Sequence, residues 1–374
     1  MAVFSKDKAP RSEDMRTGVG IIGTGMWANT HARACKANPH VEIVGLAEVR
    51  EGAAELFSQT HDIDVPIFAD YRKLLAMDGL DAVIIATPNN VHAPTSIAAA
   101  EAGKHILCQK PMATTLADSK AMEAAVKKAG VCGMVAYTKR FFRATRFLHD
   151  FLRSEELGRV YHVRAVYFQS WLSNPATPIV WRLQREKTGT GVLGDLGSHI
   201  TDLAQYLIED DITRVTGMMK TFITERPSVT DAQKKETVDV DDAVMYGAEF
   251  RNGAMGVFQA SRNATGRPDH WCIEIDAENG AVIYDKYVDT RIQLTVSKGP
   301  ARHAGWVDLQ IPARWRFGNQ YGEDEHQNQV DHFIECIRSG QTPTPSFADG
   351  LKIERVMDAA VRSSQTGVAV NVEG

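Results

Sequence analysis

Asp195 and His199 stand four residues apart in the stretch GVLGDLGSHITDLAQYL, and their types suit alcohol chemistry. If a helix has already begun at Asp195, this spacing places both side chains on one helix face, with Asp202 a turn further on. Hydride transfer from an alcohol needs a base for the hydroxyl proton, and histidine, with an ordinary pKa of about 6.5, is the usual one. The aspartate beside it would hold the substrate or raise the basicity of the imidazole. Two alternatives stay open: Asp195 caps the helix while His199 packs in the core, or the pair binds a metal, although no further ligand cluster lies nearby.

Lys110 lies directly after the apolar run HILC, where a strand should end, in the sequence Gln109-Lys110-Pro111. A cis peptide bond is allowed there, because only X-Pro bonds form one at low cost. The run AVIIA ends in a similar way, in the polar loop Thr87-Pro88-Asn89-Asn90 followed by His92. Ligands of open α/β folds bind at the carboxyl ends of the strands, so we predict that both loops face a ligand. The alternative for Lys110 is a surface lysine before a turn proline.

The segment Gly23-Thr24-Gly25-Met26-Trp27-Ala28 reads GxGxxA and lies between the apolar run VGII and a helical stretch. In this context the first glycine permits a tight turn, the second lets a pyrophosphate approach the backbone, and Ala28 lets helix and strand pack closely. Glu48 ends the next predicted strand 20 residues after Ala28, as the ribose-binding acid should. A glutamate there repels a 2′-phosphate, so we predict NAD as the cofactor; Arg50 could still reach a phosphate, which leaves NADP open. The alternatives are a glycine-rich loop without a ligand and a solvated Glu48 at a strand end.

The elements that must position these residues predict an α/β fold with two domains. From Thr17 to about Tyr137, short apolar runs alternate with amphipathic ones, which is the pattern of a parallel sheet covered by helices. We assign residues 1–16 to a polar N-terminal tail, 17–139 to an NAD(P)-binding Rossmann domain and 140–374 to a substrate-binding and oligomerisation α/β domain. The expected strands of the first domain are VGIIG, VEIVGLA, AVIIAT, HILC and VCGMVAY, with helices at 27–37, 51–60, 93–102 and 116–129.

After Lys139 the strands become longer and alternate β-branched with aromatic residues, with hairpin turns at Asn252-Gly253 and Asn279-Gly280. This pattern predicts a large, mostly antiparallel open sheet, accompanied by helices at 144–154, 198–208, about 327–339 and 351–363. An open apolar sheet face is a natural dimerisation surface, because its burial stabilises by about 25 cal/mol per Å². We therefore expect a homo-oligomer.

Charge and composition exclude several partners. The net charge of −5 comes without a long basic run, so nothing indicates binding to nucleic acid or to an anionic membrane. No apolar run approaches the ~20 residues that span a bilayer, and the N-terminal residues carry no apolar core of a secretion signal. The five cysteines are odd in number and never spaced as CxxC, which fits neither a disulfide framework nor a structural zinc site. We predict a cytoplasmic protein with reduced thiols and no metal.

Four stretches together resemble the Gfo/Idh/MocA family of oxidoreductases, which includes glucose-fructose oxidoreductase and inositol dehydrogenase. They are VGIIGTGMWA, ATPNNVHAPTSIAAAEAGKHILCQKPMA, GVLGDLGSHITDLAQYL and HFIECIRSGQTPTPSFADGLKIERVMDAA, and the resemblance extends from about Thr17 to the C-terminus. It implies that Lys110 is the active-site lysine, Asp195 the family's acid and His199 the histidine that exchanges the hydroxyl proton. It also implies a second domain whose open sheet forms the interface of a homodimer or homotetramer.

Two details of the resemblance concern cofactor contacts. The stretch from Trp171 to Arg182 is similar to that of polyol and anhydrosugar dehydrogenases, so Trp181 and Arg182 are expected near the nicotinamide or the substrate. The alternative is a packed tryptophan and a surface arginine. Gln109 stands where the family usually has glutamate; the amide can keep hydrogen bonds to the cofactor but supplies no charge.

Together these features predict an NAD(P)-dependent oxidoreductase that moves a hydride between a nicotinamide and a hydroxyl or ketone of a sugar or cyclic polyol. Two other functions stay open. One is a redox-neutral reaction with tightly bound NAD, as in glycosidase-like or sugar-sugar oxidoreductase members of the family. The other is a non-catalytic sensor of sugars or nucleotides. A sensor needs no proton acceptor, so the presence of Lys110, Asp195 and His199 together favours an enzyme.

Overall fold

The computed structural model describes residues 16–154, 157–231, 233–286, 291–298, 302–303, 305–309, 311 and 324–373. Contacts divide them into two units: residues 16–141 with 324–351, and the described residues from 142 to 311 with 352–373. The sequence-based boundaries place residues 324–351 in the second domain, whereas the contacts of this segment assign it to the first unit. The predicted N-terminal tail lies outside the described residues, except for Arg16.

A parallel sheet forms the centre of the first unit. Up to residue 135 its elements are β1 (Thr17–Ile22), α1 (Met26–Ala37), β2 (Val41–Ala47), α2 (Ala53–His61), β3 (Ile67–Phe68), α3 (Tyr71–Leu75), β4 (Ala82–Ile85), α4 (His92–Glu101), β5 (His105–Cys108), α5 (Leu116–Ala129) and β6 (Gly133–Val135). The strand order is β3-β2-β1-β4-β5-β6, and every neighbouring pair is parallel. This is the strand order of a Rossmann fold, and it confirms the prediction for the first domain.

The second unit is built on a larger, mostly antiparallel sheet. Its elements are α6 (Arg143–Arg153), β7 (Val160–Phe168), α7 (Arg185–Thr188), α8 (Ser198–Ile208), β8 (Ile212–Lys220), β9 (Glu225–Pro227), β10 (Lys235–Thr237), β11 (Ala243–Phe250), β12 (Met255–Ser261), β13 (His270–Ala277), β14 (Gly280–Asp285), β15 (Arg291–Val296) and β16 (Val307–Asp308). Then follow α9 (Glu325–Ser339) in the first unit, α10 (Phe347–Thr366) and β17 (Val370–Asn371). The nine strands run in the order β16-β15-β14-β13-β7-β12-β11-β8-β17, in which only the β7–β12 pair is parallel. This sheet confirms the predicted fold class.

Most predicted strands and both hairpin turns are present, but β8 was not predicted. The hairpin between β11 and β12 turns at Gly253, whose φ of +87° favours glycine. In β8 the buried positions Ile212 and Val215 are followed by Gly217, and polar residues fill much of the rest. Because this pattern lacks a regular apolar alternation, it does not indicate a strand without the partner β11.

Helix α9 completes the core of the first unit. One cluster of completely or almost completely buried residues joins the parallel sheet to α9; it includes Val19, Ile84, Leu107 and Met134 from the strands and Val330, Phe333 and Ile334 from the helix. A second buried cluster joins Ile21 of β1 to Ala28 of α1 and Phe57 of α2. Within the described ranges, no helix is both long and apolar enough to cross a bilayer.

All five cysteines are buried. Burial raises the pKa of Cys35 and of Cys272 to about 12, and it raises the pKa of Cys132 as well. Since the thiolate is the reactive form of cysteine, we expect Ellman's reagent to modify the native protein very slowly and the urea-unfolded protein at all five thiols. Fast modification of the native protein would show that at least one of these side chains is accessible.

Asp331 in α9 is a buried carboxyl group beside α1. Its Oδ1 accepts hydrogen bonds from Asn38 Nδ2 at 2.6 Å and Gln327 Nε2 at 2.8 Å. Burial raises the pKa of Asp331 to about 6, against a smaller opposing effect of these two hydrogen bonds. An aspartate of the unfolded chain ionises at about pH 4, so between about pH 4 and 6 the folded chain binds more protons and its stability falls as the pH rises.

We therefore expect Asp331→Asn to be more stable than the wild type near pH 7, by about 1–2 kcal/mol, and this advantage to disappear towards about pH 4. Urea unfolding of both proteins across this pH range measures the difference. Asp78→Asn, which changes an exposed carboxylate of the same unit, serves as the control. An advantage that stays constant with pH would show that burial does not hold the Asp331 proton.

Candidate active site

The turn after β1 has the geometry that a dinucleotide requires. Gly23 has a φ of +87°, and a Cβ atom there would lie 2.7 Å from the carbonyl oxygen of Ala86, so the position favours glycine. Gly25 is the N-cap of α1, and among the described residues no atom lies within 4 Å of the Cβ that a larger residue would carry. No described side chain caps α1, and its first turn carries no acid. The N–H groups at this helix end therefore face open space beside Gly25, which fits a pyrophosphate.

The first turn of α1 contains Met26, Trp27 and Ala28. Met26 is 65% exposed, whereas Ala28 is buried against β1, as the close packing of helix and strand requires. Trp27 packs against His326 at the start of α9, with 5.5 Å between the ring centroids. His326 was not predicted, because nothing in the glycine motif points to a residue near the other end of the chain.

Glu48 directly follows β2, beside the glycine turn. Its Oε2 accepts hydrogen bonds from the backbone N of Thr24 at 2.9 Å and from Thr24 Oγ1 at 2.7 Å, and it forms an ion pair with Arg50 Nη2 at 2.8 Å. Burial alone would raise the pKa of Glu48, but the hydrogen bonds from Arg50 and Thr24 outweigh burial and lower this pKa to about 2. The carboxylate is therefore ionised near neutral pH, as an acceptor for ribose hydroxyls must be.

The polar loop Thr87-Pro88-Asn89 follows β4, as predicted, and His92 links it to the next loop. His92 is completely buried; its Nδ1 lies 2.9 Å from the carbonyl oxygen of Pro111 and its Nε2 3.2 Å from that of Thr87. Burial lowers the pKa of His92, although both carbonyls favour the protonated ring. These contacts favour a positioning role for His92, and its direct contact with a cofactor stays a prediction.

Lys110 follows β5 at the carboxyl edge of the parallel sheet, is half-buried and precedes a cis peptide bond to Pro111. The Gln109 amide nitrogen lies 2.7 Å from Nε2 of His31 in α1. Burial, with a smaller effect of His326, lowers the pKa of the completely buried His31 to about 3, so its imidazole is neutral. A neutral imidazole nitrogen can accept the amide N–H, and this contact needs no charge on residue 109.

Asp195 lies in a π-helical turn, Leu193–Gly197, that leads directly into α8. Such turns are frequent at functional sites. The backbone N–H groups of Gly191 and Leu193 donate to the carboxylate of Asp241 at 2.6 and 2.8 Å, so Asp241 caps the start of this helical stretch. A Cβ atom on Gly191 would lie 2.0 Å from the carbonyl oxygen of Asp241, which leaves no room for a side chain there.

His199 lies in the first turn of α8 and is 6% exposed. Its ring centroid is 6.1 Å from that of Tyr167 in β7, whose hydroxyl donates to Asp269 Oδ1 at 2.8 Å. Burial raises the pKa of Tyr167, and the charges of Asp269 and Asp195 raise it further. The structure thus brings Asp195, Tyr167 and His199 together in the second unit. Across the described residues, no group of three or more His, Cys, Asp or Glu side chains could hold a metal ion.

Gln169 and Trp171 extend this cluster just beyond β7. Trp171 Nε1 donates to Gln169 Oε1 at 2.9 Å, and Gln169 Nε2 donates to Asp269 Oδ1 at 3.1 Å. The Trp171 ring is exposed. A row of polar groups beside an accessible aromatic ring suits a hydroxyl-rich ligand. The sequence FQSW at the end of a predicted strand is a signal that could have indicated these residues.

Trp181 and Arg182 stack on each other in a short helical turn, with the guanidinium carbon 4.4 Å from the indole ring centre. The carbonyl oxygen of Arg182 accepts a hydrogen bond from Nη1 of Arg262 at 3.3 Å. No sequence pattern indicated Arg262, since a charged residue at a strand end is usually solvated. The predicted approach of Trp181 and Arg182 to the nicotinamide or substrate stays a prediction.

Known protein families match both parts of the chain. The family described as "Oxidoreductase family, NAD-binding Rossmann fold" matches residues 17–137, and the "GFO/IDH/MocA C-terminal domain" matches residues 145–283. The chain belongs to the Gfo/Idh/MocA family. As a Gfo/Idh/MocA oxidoreductase it carries the NAD-binding Rossmann fold seen in the first unit.

Several named relatives of this Gfo/Idh/MocA chain are dehydrogenases. Levoglucosan dehydrogenase of Pseudarthrobacter phenanthrenivorans is 34% identical, over 92% of the chain and 95% of that enzyme. Myo-inositol 2-dehydrogenase of Thermotoga maritima is 26% identical, over 95% of the chain and 98% of that enzyme. A solved structure of levoglucosan dehydrogenase in complex with NADH and levoglucosan superposes with a TM-score of 0.91 at 31% identity, covering 96% of this chain and 100% of that one.

Proposed function

We propose that the protein is an NAD-dependent dehydrogenase that transfers a hydride between a nicotinamide and a CH–OH group of a sugar or cyclic polyol. The observation that carries the proposal is the position of Asp195 and His199 on one continuous helical stretch, beside Tyr167. The names of the two relatives, which refer to levoglucosan and myo-inositol, support a hydroxyl-rich ring as the substrate.

Three side chains have different roles in the proposed reaction. When bound, NAD supplies the hydride acceptor at C4 of its nicotinamide. His199 accepts the hydroxyl proton, and its low exposure limits exchange of that proton with bulk water. Asp195, with 21% of its side chain exposed, orients the substrate by accepting a hydrogen bond from a hydroxyl. Lys110 polarises the substrate oxygen through its ammonium group.

Residues of the first unit hold the cofactor in this proposal. The backbone at Gly23, Gly25 and the first turn of α1 receives the pyrophosphate, and Glu48 receives the ribose hydroxyls. Arg50 forms an ion pair with Glu48, which keeps its guanidinium engaged away from a 2′-phosphate and favours NAD over NADP. Fluorescence titrations should therefore give a lower Kd for NADH than for NADPH; the opposite order would contradict this role of Glu48.

Purified protein mixed with NAD and a panel of levoglucosan, inositols and aldoses tests the function. We expect the absorbance of NADH to increase with at least one of these compounds. No increase with any of them contradicts the dehydrogenase. Cofactor that survives dialysis and never accumulates as NADH would favour the redox-neutral reaction. A sensor would be favoured if neither the wild type nor His199→Ala showed turnover and both bound sugar equally well.

We also propose a homodimer or homotetramer that forms through the outer face of the large sheet. Met218, Met245, Met255 and Val257 are exposed on the adjacent strands β8, β11 and β12, and Met245 lies directly opposite Met218. Their burial against a second copy would stabilise an oligomer. Light scattering should give a dimer or tetramer for the wild type and for Leu56→Asp, which changes an exposed residue of α2, and a smaller species for Met245→Asp. A monomeric wild type would contradict the proposal.

We propose that the protein is cytoplasmic, because its five cysteines are odd in number, scattered along the chain and buried, which suits a reducing compartment. Fractionation of cells that express the protein tests this location. Recovery with the membranes or from the medium would contradict it.

A further inference from the structure

Arg262 lies one residue beyond β12, and its side chain is completely buried. Its Nη1 is 3.7 Å from Oδ2 of Asp195 and 3.3 Å from the carbonyl oxygen of Arg182. Its Nη2 is 3.2 Å from the carbonyl oxygen of Asp241. Two backbone carbonyls thus fix the guanidinium, and the fixed guanidinium faces the carboxylate of Asp195.

The charge of Arg262 needs a partner, because a buried guanidinium is costly unless an opposite charge compensates it. The carboxylate of Asp241 feels this charge but is already engaged by the N–H groups of Gly191 and Leu193. Asp195 forms the direct ion pair. The acid proposed to orient the substrate is therefore also the acid that compensates a buried arginine.

The backbone that carries Asp195 packs against the same guanidinium. A Cβ atom on Gly191, two residues before the π-helical turn, would lie only 2.8 Å from Nη2 of Arg262. The Arg262 guanidinium therefore lies close to the backbone just before the turn and also pairs with the Asp195 side chain within it. This double contact restricts both the position and the direction of the carboxylate.

We propose that Arg262 is a positioning residue of the hydride-transfer reaction, whose guanidinium fixes the direction of the Asp195 carboxylate and, through it, the substrate hydroxyl. The inference rests on the proposed function. Arg262 is completely buried, so it acts on the substrate through Asp195 and not by direct contact. A shift of the reacting group by about 1 Å can cost roughly 100-fold in rate, so loss of this constraint should be visible in kcat.

A double-mutant cycle tests this role. Arg262→Gln alone should lower kcat by about 10- to 100-fold, with the KM for NAD nearly unchanged. Arg262→Lys, which keeps the charge, should recover part of the lost kcat. In an Asp195→Asn background, Arg262→Gln should lower kcat by less than about threefold, because the carboxylate through which it acts is already absent. Equal factors in both backgrounds would overturn the proposal.

Arg226→Gln is the matched control, since Arg226 is a second completely buried arginine of the same unit that binds the carbonyl groups of Asn174 and Thr177. Arg226 senses the charge of Arg262, so the effect of Arg226→Gln should change slightly when Asp195→Asn is added, and by clearly less than the effect of Arg262→Gln changes. The urea midpoints of the same variants give a readout that needs no turnover: Arg262→Gln should shift the midpoint less in the Asp195→Asn background. Equal midpoint shifts with and without Asp195→Asn would overturn the ion pair. A smaller shift in the Asp195→Asn background, in a protein whose wild type shows no turnover, would contradict only the proposed function.

Discussion

Replacement of His199 by alanine is expected to lower kcat by about 10²- to 10⁴-fold, which is the usual contribution of a general base. The imidazole lies one helical turn after Asp195 and beside Tyr167, in a position with little access to water. In the variant, water would have to take the hydroxyl proton at a place where water is scarce. Steady-state kinetics with the best substrate of the panel measure the loss, and a fluorescence titration should give an NADH Kd close to that of the wild type.

His40→Ala is a suitable control, because it removes a half-exposed histidine from the turn before β2 and should leave kcat unchanged. The melting temperature of His199→Ala must also be measured, because His199 is buried and its replacement by a smaller residue can destabilise the fold. A folded His199→Ala protein with kcat within about threefold of the wild type would remove His199 from the catalytic role, because general-base loss costs far more.

Gly25→Val should abolish tight NADH binding and leave the fold intact. Gly25 has extended backbone angles, with φ −78° and ψ −170°, and the described structure has open space where its side chain would point. A valine can therefore be accommodated by the protein alone, but it occupies the space that a pyrophosphate needs. We expect the Kd for NADH to rise by roughly 100-fold, equivalent to about 3 kcal/mol, with little change in the melting temperature.

Gly23→Ala, two positions earlier, should differ from Gly25→Val in its effect on stability. Its Cβ would collide with the carbonyl oxygen of Ala86, and its φ of +87° disfavours any side chain. This variant should lose stability as well as NADH affinity. If Gly25→Val and Gly23→Ala lowered the melting temperature equally, the open space at Gly25 would be a structural requirement of the fold and not a ligand site.

Features that depend on local chain geometry were predictable from the sequence. The glycine turn, the acid at the end of β2 and the polar loops after β4 and β5 each follow from a strand, a turn and a helix that are neighbours along the chain. A parallel sheet then brings these loops to one edge, whatever the remaining packing. The large antiparallel sheet was predictable for a similar reason, because alternating residues and Asn-Gly turns specify its hairpins.

Features that depend on distant partners were not predictable. Arg262 follows an ordinary alternating strand, and its burial becomes favourable only because Asp195 and two carbonyl groups come from other elements. The π-helical turn at Asp195 has no sequence signature of its own and depends on the carboxylate of Asp241. His326 likewise reaches Trp27 only through the position of α9. No periodicity within a single segment contains this information.

The position of α9 also determines when the NAD-binding unit can form during synthesis. Val19, Ile84, Leu107 and Met134 belong to the same buried cluster as residues of α9, and α9 is synthesised long after β6, the last strand of the parallel sheet. A nascent chain that stops at residue 139 exposes this apolar surface to water and to other nascent chains. Production of 17–139 alone should therefore give an aggregating fragment, so that an independent nucleotide-binding module cannot be cut from this protein at the Rossmann boundary.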